Sequence, residues 1–554
     1  MINEVKITFN DGTVSVYPAG ISYLELSKYY KNKIENPIIG VKVNNRVLNL
    51  TDKIYNDTVV KFFDFNDLNG YKMYQAGLKF VMLIAAKELW GNDSDVRFLN
   101  SLDKGIYTEI ISNTLITEEE VLKLKLKMQE IINLDLVFEK NAFNKKEVIS
   151  YYNQIHEEEK AANVSRIPNN IVTLYKLKNY YNYFYTDMPY STGVLTKFDL
   201  SFINDNHIIL RFPSPTSDNV VPEYRPLDKI MQVFEEYRTW LLLVNMHYVS
   251  DLNDLVINNT IKEFVMQNKI ITDEYLIDIV KQIVNSDRNI KLISIAGPSS
   301  SGKTTSAHRI SLYLKTFGIN SYIMSADNYY KERVDIPKDE DGEYELDKLE
   351  ALDIEMLNND LNKLINYEEV IMPEYNFFTG KKEIKGRRVK LKEGDVVILE
   401  GLHCLNDELS KDISLENKFK IYISPFSGLC IDRHNHLSNV DVRLVRRIVR
   451  DNVFRGASVS DTIRIWQKVR RDEEKYIFPY QNEADAILNT SLIYELGVLK
   501  IYAEPILYSV PITSVYYEEA RRLLGFLRTF FTISPELVDS DSVLREFIGG
   551  SIFS

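Results

Sequence analysis

The residues whose spacing points most directly to chemistry lie in the stretch ISIAGPSSSGKTTSAHRI, at 293–310. Within it, residues 297–304 match the pattern G-x-x-x-x-G-K-[ST] at every fixed position. The apolar, isoleucine-rich run before the match predicts a buried strand, and the apolar spacing from Thr305 to Phe317 predicts a helix. A strand, a glycine-rich loop and a helix form the setting in which backbone N–H groups and a helix N-terminus bind phosphate.

This loop predicts a nucleotide site, for which the cofactors are ATP, or GTP, and Mg²⁺. Lys303 can reach the β- and γ-phosphates, and the hydroxyl of Thr304 can ligate Mg²⁺. The structural alternative is a glycine- and serine-rich turn before an ordinary helix. The loop residues expected to bind the nucleotide are Gly297, Ser299, Ser300, Ser301, Gly302, Lys303, Thr304 and Thr305.

Two acidic residues follow strand-like runs beyond the loop. Asp327 ends the run NSYIMSAD, and Glu400 ends the run DVVILE. Residues at the carboxyl ends of parallel strands line the active crevice of an α/β sheet, so Asp327 is a candidate to take a proton from an attacking hydroxyl. A helix N-cap is an equally good interpretation of Asp327 taken alone. Glu400 has the arrangement of a Walker B acid, which binds Mg²⁺ directly or through water.

Five arginines occur within the segment DVRLVRRIVRDNVFRGAS. Among them, Arg443, Arg447 and Arg450 have i, i+4, i+7 spacing and share one helix face. In an acidic chain, this segment predicts a lid that closes over the transferring phosphoryl group and neutralises its charge. The alternative is a solvated helix face with ion pairs to Asp441 and Asp451.

The elements that position these residues belong to a chain of 554 residues, for which two to four domains are expected. The formal net charge of −12 argues against a large nonspecific nucleic-acid surface. The two cysteines, Cys404 and Cys430, give neither a metal-type spacing nor a disulfide framework. With no signal-peptide pattern at the start and no apolar run of roughly 20 residues, we expect a cytoplasmic protein without membrane contact.

From about 290 to 500 the sequence resembles the uridine kinase/phosphoribulokinase family, and uridine kinases most of all. The pieces that carry the resemblance, in the family's order, are GPSSSGKTT, SADNYYK, YELDKLEALD, MPEYNF, VVILEGL, DVRLVRRIVRDNVFRG and FPYQNEADAIL. The resemblance implies a parallel α/β P-loop NTPase fold and phosphoryl transfer from ATP or GTP to a nucleoside.

The resemblance also implies roles at the matched positions. Asp327 corresponds to the acid that activates the nucleoside 5′-hydroxyl, and Asp347 to the acid that binds the ribose hydroxyls. Tyr330 corresponds to a substrate-binding residue, and Tyr375 and Phe377 to aromatic residues of the base pocket. Lys303, Arg447 and Arg450 correspond to residues that stabilise charge, and Arg447 also to one that binds the substrate. Arg455 corresponds to a lid arginine that binds the nucleotide. Thr304 and Glu400 correspond to the residues at Mg²⁺.

Two positions depart from the family's pattern. Gly380 stands three residues after Phe377, where uridine-cytidine kinases have a histidine that contacts the pyrimidine edge. A site that lacks this group loses one basis for discriminating between bases. Ala457 replaces an arginine of the RGR sequence in the family's lid. Phosphoryl transfer is therefore better supported than uridine as the acceptor, and another nucleoside or a sugar alcohol stays an alternative.

The front of the chain has different resemblances. Residues 1–66 contain the strand-like runs EVKITF, TVSVYP and TVVKFFDF and resemble the TGS domain, a β-grasp module of threonyl-tRNA synthetases. Residues 67–212 resemble the α+β editing-type domain that follows it in those enzymes. The positions aligned with the metal-type pairs of that domain, none of which is His or Cys, are Tyr74 with Leu78 and Thr186 with Tyr190. We therefore expect a catalytically degenerate scaffold.

These features predict a multidomain protein of α/β and α+β class. After the two front domains we expect a helical connector at 213–288, the kinase domain at 289–510, and a helix and tail at 511–554. The second function class is a sensor of RNA, tRNA or nucleotide, with the P-loop domain as a switch and the front end contacting RNA or a small regulator. Related kinases assemble as oligomers, so the resemblance also implies a homo-oligomer.

Overall fold

The computed structural model describes residues 4–30, 34–102, 104–217, 219–339, 342, 344–377, 379–383 and 387–553. Its first elements are β1 (Glu4–Phe9), β2 (Val14–Pro18), α1 (Tyr23–Tyr30), β3 (Gly40–Val43), β4 (Arg46–Leu48) and β5 (Thr58–Phe63). The strands form a mixed sheet of order β2-β1-β5-β3-β4, in which β1 and β5 are parallel. Alternate residues of β1 are buried against α1, as the period-2 pattern predicts.

The next elements surround one long buried helix. They are α2 (Leu68–Trp90), β6 (Asp95–Leu102), β7 (Gly105–Ile111), α3 (Glu118–Asn133), β8 (Glu139–Asn144), α4 (Lys145–Gln154), α5 (Glu158–Arg166), β9 (Ile171–Leu177), β10 (Tyr180–Asn182), β11 (Asp199–Asn204) and β12 (His207–Arg211). An antiparallel sheet of order β11-β12-β7-β6 packs with α2 and α3, and a second of order β10-β9-β8 packs with α4. The unit has the mixed α and β content that the sequence predicts.

The next segment is helical, as its helical periodicity predicts. It contains α6 (Asp228–Leu243), α7 (Val249–Ile257) and α8 (Ile261–Val284). The C-terminal half of α8 buries Leu276, Ile279 and Val280 in the same core as the strands of the following sheet. These helices are therefore part of the support for that sheet.

The remaining elements build a parallel α/β domain with short insertions. They are β13 (Leu292–Ala296), α9 (Lys303–Thr316), β14 (Ser321–Ser325), α10 (Ile354–Ile365), β15 (Val370–Ile371), β16 (Glu374–Asn376), β17 (Lys381–Glu383), β18 (Arg388–Val389), β19 (Val396–Glu400), β20 (Lys418–Ser424), β21 (Cys430–Asp432), β22 (Asn435–His436), α11 (Asn439–Arg455), α12 (Val459–Tyr476), β23 (Ala486–Asn489), α13 (Glu495–Tyr508), α14 (Tyr517–Leu527) and α15 (Arg545–Ile548). All neighbours in the sheet β14-β19-β13-β20-β23 are parallel. The predicted parallel P-loop fold is confirmed, with β13 at its centre.

One expectation about the end of the chain is wrong. The residues REFIGGSIFS are predicted to be a tail, but Arg545–Ile548 form the short helix α15. Phe547 is fully buried and Ile548 nearly so, in a core shared with α11 and α13. Within the described ranges, no helix is both long enough and apolar enough to cross a membrane.

Candidate active site

The predicted phosphate loop connects β13 to α9 at the carboxyl end of the central strand. Gly302 has a φ of 89° and Ser300 a φ of 60°, so the backbone turns through the left-handed region that glycine adopts readily. The hydroxyls of Ser300 and Ser301 are buried and make no hydrogen bond within the described chain. Buried polar groups nearly always have partners, so these hydroxyls fit a loop that binds polyphosphate. Thr304 is exposed beside them, so its hydroxyl is free to contact a Mg²⁺ ion from solvent.

Arg443 supports the loop from behind. Its guanidinium donates to the carbonyl oxygen of Ser299 at 3.1 Å and pairs with Glu473 at 2.5 Å. Glu473 in turn accepts a hydrogen bond from the backbone N–H of Ser299 at 2.9 Å. Both charged side chains are 2% exposed, so this pair is a fixed part of the core.

Arg446 supports the next residue of the loop. It is fully buried, pairs with Glu495 at 2.5 Å and donates to the carbonyl oxygen of Ser300 at 3.3 Å. Its guanidinium also donates to the carbonyl oxygen of Thr490 at 2.8 Å. The first half of α11 is therefore a support packed in the core, and the predicted lid does not include it.

The two predicted acids lie at neighbouring strand ends and face the loop. Asp327 lies in a 3₁₀ turn directly after β14, in which Ser325 is the N-cap, so the N-cap interpretation of Asp327 is wrong. Asp327 is an exposed residue, but the protein around it limits the hydration of its carboxylate and so raises its pKa, a shift that the charges of Lys303 and Arg455 oppose. Burial and the nearby Asp327 carboxylate raise the pKa of Glu400 to about 7. This coupling places the two acids in one electrostatic site.

The other predicted arginines gather around one carboxylate. Asp451 pairs with Arg447 at 3.2 Å, Arg450 at 3.5 Å and Arg455 at 3.2 Å. Arg447 also donates to the hydroxyl of Ser299 in the loop at 2.9 Å. Burial and then the charge of Arg455 lower the pKa of Arg450, so the group carries more positive charge than one carboxylate offsets. An excess of cations beside the loop fits a polyphosphate ligand.

Aromatic rings and Asp347 form a second group of predicted site residues, and the charges of Arg447 and Asp327 act on Asp347. The rings of Tyr330, Tyr375 and Phe377 contact one another with centroids 5.0 to 5.9 Å apart. The two tyrosines are buried, whereas the Phe377 ring is 51% exposed. Burial raises the pKa of Asp347 to about 6, against the opposing charge of Arg447. The structure thus brings the predicted substrate-binding residues together.

Arg333 lies where the sequence predicts the loss of a polar group. Gly380 has a φ of 67°, and a Cβ there would lie 2.6 Å from the Cβ of Arg333. The backbone N–H of Arg333 donates to the carbonyl oxygen of Gly380 at 2.8 Å, and its guanidinium donates to the carbonyl oxygen of Phe377. Glycine therefore allows a guanidinium to lie beside the aromatic rings.

A family model and the relatives of this chain point to the same family. The model of the phosphoribulokinase/uridine kinase family matches residues 292–492. The uridine kinase of Halobacterium salinarum is 30% identical over 198 residues, which are 35% of this chain and 78% of that protein. The chain belongs to the phosphoribulokinase/uridine kinase family. It is accordingly a phosphotransferase.

One further relative and one solved structure are similar to part of this chain. The uridine kinase of Bacillus pumilus is 30% identical over 198 residues, which are 36% of this chain and 85% of that protein. A solved structure described as a possible uridine kinase from Bacillus stearothermophilus is 26% identical, with a TM-score of 0.23, and the match covers 26% of this chain and 78% of that chain.

The sequence did not predict three residues that contact this kinase site. Glu473 orients Ser299 and Arg443, and Glu546 contacts the loop from the end of the chain. His403 is buried and donates from Nε2 to the carbonyl oxygen of Asp347 at 2.9 Å. His403 is one of only seven histidines in the chain and follows Glu400 by three residues, which is the one signal that points to it.

The four editing-type positions do not form a site in the described chain. Tyr74 and Leu78 are buried in the apolar core around α2, and the Tyr74 hydroxyl donates to the carbonyl oxygen of Lys197 at 2.9 Å. Tyr190 packs instead against the core of the first domain, and Thr186 lines a small cavity beside α2. Among the described residues, no group of three or more His, Cys, Asp or Glu is arranged to hold a metal ion.

Proposed function

We propose that the chain transfers the γ-phosphoryl group of ATP to the 5′-hydroxyl of a nucleoside. The observation that carries this proposal is the meeting of the phosphate loop, Asp327 and Glu400 at the carboxyl ends of three adjacent parallel strands. Ligands of open α/β sheets bind at this edge. The similar proteins are named as uridine kinases, which supports a nucleoside as the acceptor.

The phosphate side of the mechanism depends on cations that the loop positions. Lys303 Nζ donates to the carbonyl oxygens of Gly297 at 3.1 Å and Pro298 at 3.3 Å, and we propose that it exchanges these for phosphate oxygens. Thr304 and Glu400 are the residues that would hold Mg²⁺, which neutralises phosphate charge when bound. Arg447 and Arg450 are proposed to stabilise the charge of the transition state, which the bond of Arg447 to Ser299 and the charge of Arg450 near Asp327 support.

Asp327 is the proposed general base. Its carboxylate accepts the proton of the 5′-hydroxyl while the hydroxyl oxygen bonds to the γ-phosphorus and the bond to the bridging oxygen breaks, releasing ADP. The surroundings that raise the pKa of Asp327 make its carboxylate a better base than an ordinary aspartate. Arg455, which opposes that shift, favours the ionised form that must accept the proton.

The nucleoside is proposed to bind between the aromatic rings and Asp347. The exposed face of Phe377 offers a stacking surface for a base, and the Asp347 carboxylate can accept hydrogen bonds from ribose hydroxyls. Uridine or cytidine is the default acceptor by resemblance. Arg333 supports a purine nucleoside as an alternative, because a guanidinium only donates and therefore favours the neighbouring N7 and O6 acceptors of guanine.

We further propose that the front of the chain is a TGS-like β-grasp domain followed by a catalytically degenerate editing-type domain. The sheet order β2-β1-β5-β3-β4 with α1 packed across it supports the first assignment. The burial of Tyr74 and Leu78 supports the loss of chemistry in the second. A regulatory role for this front end, with RNA or a small molecule as ligand, remains a proposal by resemblance.

The test is ADP release with Mg-ATP across uridine, cytidine, guanosine, inosine, adenosine and simple sugar alcohols. The matched variants are Asp327→Asn and, as control, Asp335→Asn at an exposed aspartate of the same segment. Asp327→Asn should lower kcat by about 10²- to 10⁴-fold, as loss of a general base does, and leave ATP affinity unchanged. Full activity of Asp327→Asn with the best acceptor would refute the assignment.

A further inference from the structure

The last described segment, residues 535–553, packs on the phosphate loop and its helix from outside the matched family segment. The ring of Phe553 stacks on His308 of α9, with centroids 5.1 Å apart and planes 10° apart. The ring of Phe547 lies under the guanidinium of Arg446 at 5.2 Å. The segment thus covers the first turns of α9, next to the phosphate loop.

Two side chains of this segment contact the loop directly. Val543 lies against Gly302 so closely that a Cβ at the glycine would collide with it. Glu546 accepts a hydrogen bond from the hydroxyl of Thr305 at 3.1 Å and lies 3.8 Å from the guanidinium of Arg450. The Glu546 side chain is 20% exposed, so its charge is only partly screened by water.

These contacts conflict with a bound polyphosphate. Thr305 follows the lysine and threonine of the loop motif in the first turn of α9, where helix N–H groups and hydroxyls bind phosphate. Arg450 is one of the cations proposed to neutralise the phosphates. The Glu546 charge also contributes to the raised pKa of Glu400, so it lies within the electrostatic field of the Mg²⁺ site. A carboxylate and a phosphate in the same place repel each other strongly.

We propose that Glu546 competes with the phosphates of the nucleotide for Thr305 and Arg450, and that nucleotide binding displaces the Glu546 side chain and loosens the short helix α15 that carries it. Glu546 then sets the nucleotide affinity, because only the fraction of molecules in which Glu546 has left Thr305 and Arg450 binds ATP. The inference rests on the proposed function, in which ATP is the phosphoryl donor. It adds a residue and a segment that lie outside the family match.

The direct test compares Glu546→Gln with Glu536→Gln, an exposed glutamate of the same segment. Glutamine retains an oxygen that accepts from Thr305, so Glu546→Gln removes the charge and keeps the packing. The Kd for Mg-ATP, measured by calorimetry, should fall about tenfold in Glu546→Gln because a like charge leaves the site. The acceptor KM of Glu546→Gln and both constants of Glu536→Gln should equal those of the wild type.

Hydrogen exchange supplies a second readout in the wild-type chain. Backbone amides of residues 541–549 should exchange faster with a non-hydrolysable ATP analogue than without it. Equal or weaker ATP binding by Glu546→Gln, or unchanged exchange in the wild type, would overturn the inference and leave the kinase assignment intact. A wild-type protein that neither binds ATP nor phosphorylates any acceptor would instead overturn the proposed function and this inference together.

Discussion

At the scale of single residues, Gly380 is where acceptor binding can be separated from nucleotide binding. Its φ of 67° suits glycine, and Gly380→Ala would place a Cβ 2.6 Å from the Cβ of Arg333. The turn that carries Phe377 must then shift, so we expect the acceptor KM to rise about tenfold because positioning is lost. Steady-state kinetics with both substrates varied should show an unchanged KM for ATP.

Gly394→Ala is the control for backbone strain alone. Gly394 has a φ of 87°, and a Cβ there would meet no atom within 4 Å. The variant therefore has a similar left-handed strain, without a collision and away from the aromatic rings. An equal rise in the acceptor KM in Gly394→Ala would show that Arg333 is not the cause.

The raised pKa of Asp347 predicts how acceptor binding depends on pH. Its pKa is raised to about 6, first by burial, while the charge of Arg447 opposes the shift. The carboxylate that accepts ribose hydroxyl protons is therefore lost as pH falls through 6 and is fully present above 7. The acceptor kcat/KM should fall by about tenfold per pH unit well below that pKa, as for any single essential base. A profile that is flat between pH 5 and 8 would exclude Asp347 from this role.

At the scale of elements, α11 supports the phosphate loop through Arg446. Arg446→Met leaves Glu495 buried without its partner, which should lower the free energy of unfolding by about 3 kcal/mol. It also frees the carbonyl of Ser300, so ATP affinity should fall. Chemical denaturation and calorimetry measure the two effects, with Arg471→Met at an exposed arginine of α12 as control.

The double variant Arg446→Met with Glu495→Leu separates the support of the loop from stability. Replacing a buried ion pair by apolar residues is often neutral for stability. We therefore expect the double variant to regain stability and still bind ATP weakly. Recovery of wild-type ATP affinity would contradict a specific role of Arg446 in holding the loop.

Elements defined by local pattern could be predicted from sequence, and those defined by distant contacts could not. The continuous apolar run before Gly297 indicates a buried strand and the apolar spacing after Lys303 indicates a helix, and both are present. Helical spacing shows that Arg443 lies on a helix face, but its partner Glu473 is 30 residues away in sequence, so its burial could not be inferred. Helix α15 has four residues, too few for any periodic pattern.

The candidate site shows the same division. The identities of Lys303, Asp327 and Glu400 follow from motifs, because each motif includes the strand that presents the residue. The contact of Glu546 with Thr305 joins residues 241 positions apart, and the packing of Arg333 on Gly380 depends on two loops meeting. Sequence alone carries no distance information of this kind.

At the scale of the whole molecule, the hairpin of β21 and β22 joins the front of the chain to the kinase domain. Arg433 pairs with Asp95 at 3.0 Å and with Glu159 at 2.6 Å, and His434 Nε2 lies 2.9 Å from Asp95. The backbone N–H of Phe98 donates to the carbonyl oxygen of Arg433 at 3.0 Å. The two regions are therefore expected to unfold together.

A substitution of Asp95 can test the contact between the β21–β22 hairpin and the front of the chain. Burial acts to raise its pKa, but His434 and Arg433 outweigh burial and lower it. A depressed folded-state pKa contributes stability that is present above the unfolded value of about 3.9 and is lost as pH falls through the folded value. Asp95→Asn should lose about 3 kcal/mol at pH 7 and show a weaker acid dependence of unfolding, with the exposed Asp93→Asn unchanged. Separate transitions for the two regions in the wild type would contradict a shared core.

The most direct test of the central claim is to identify the product formed from ATP and the best nucleoside acceptor. Phosphorus NMR should show a nucleoside 5′-monophosphate in an amount equal to ADP for the wild type. Asp327→Asn, shown by calorimetry to bind ATP normally, should form almost none. ADP accompanied by inorganic phosphate alone, or the same monophosphate yield from Asp327→Asn, would contradict the account.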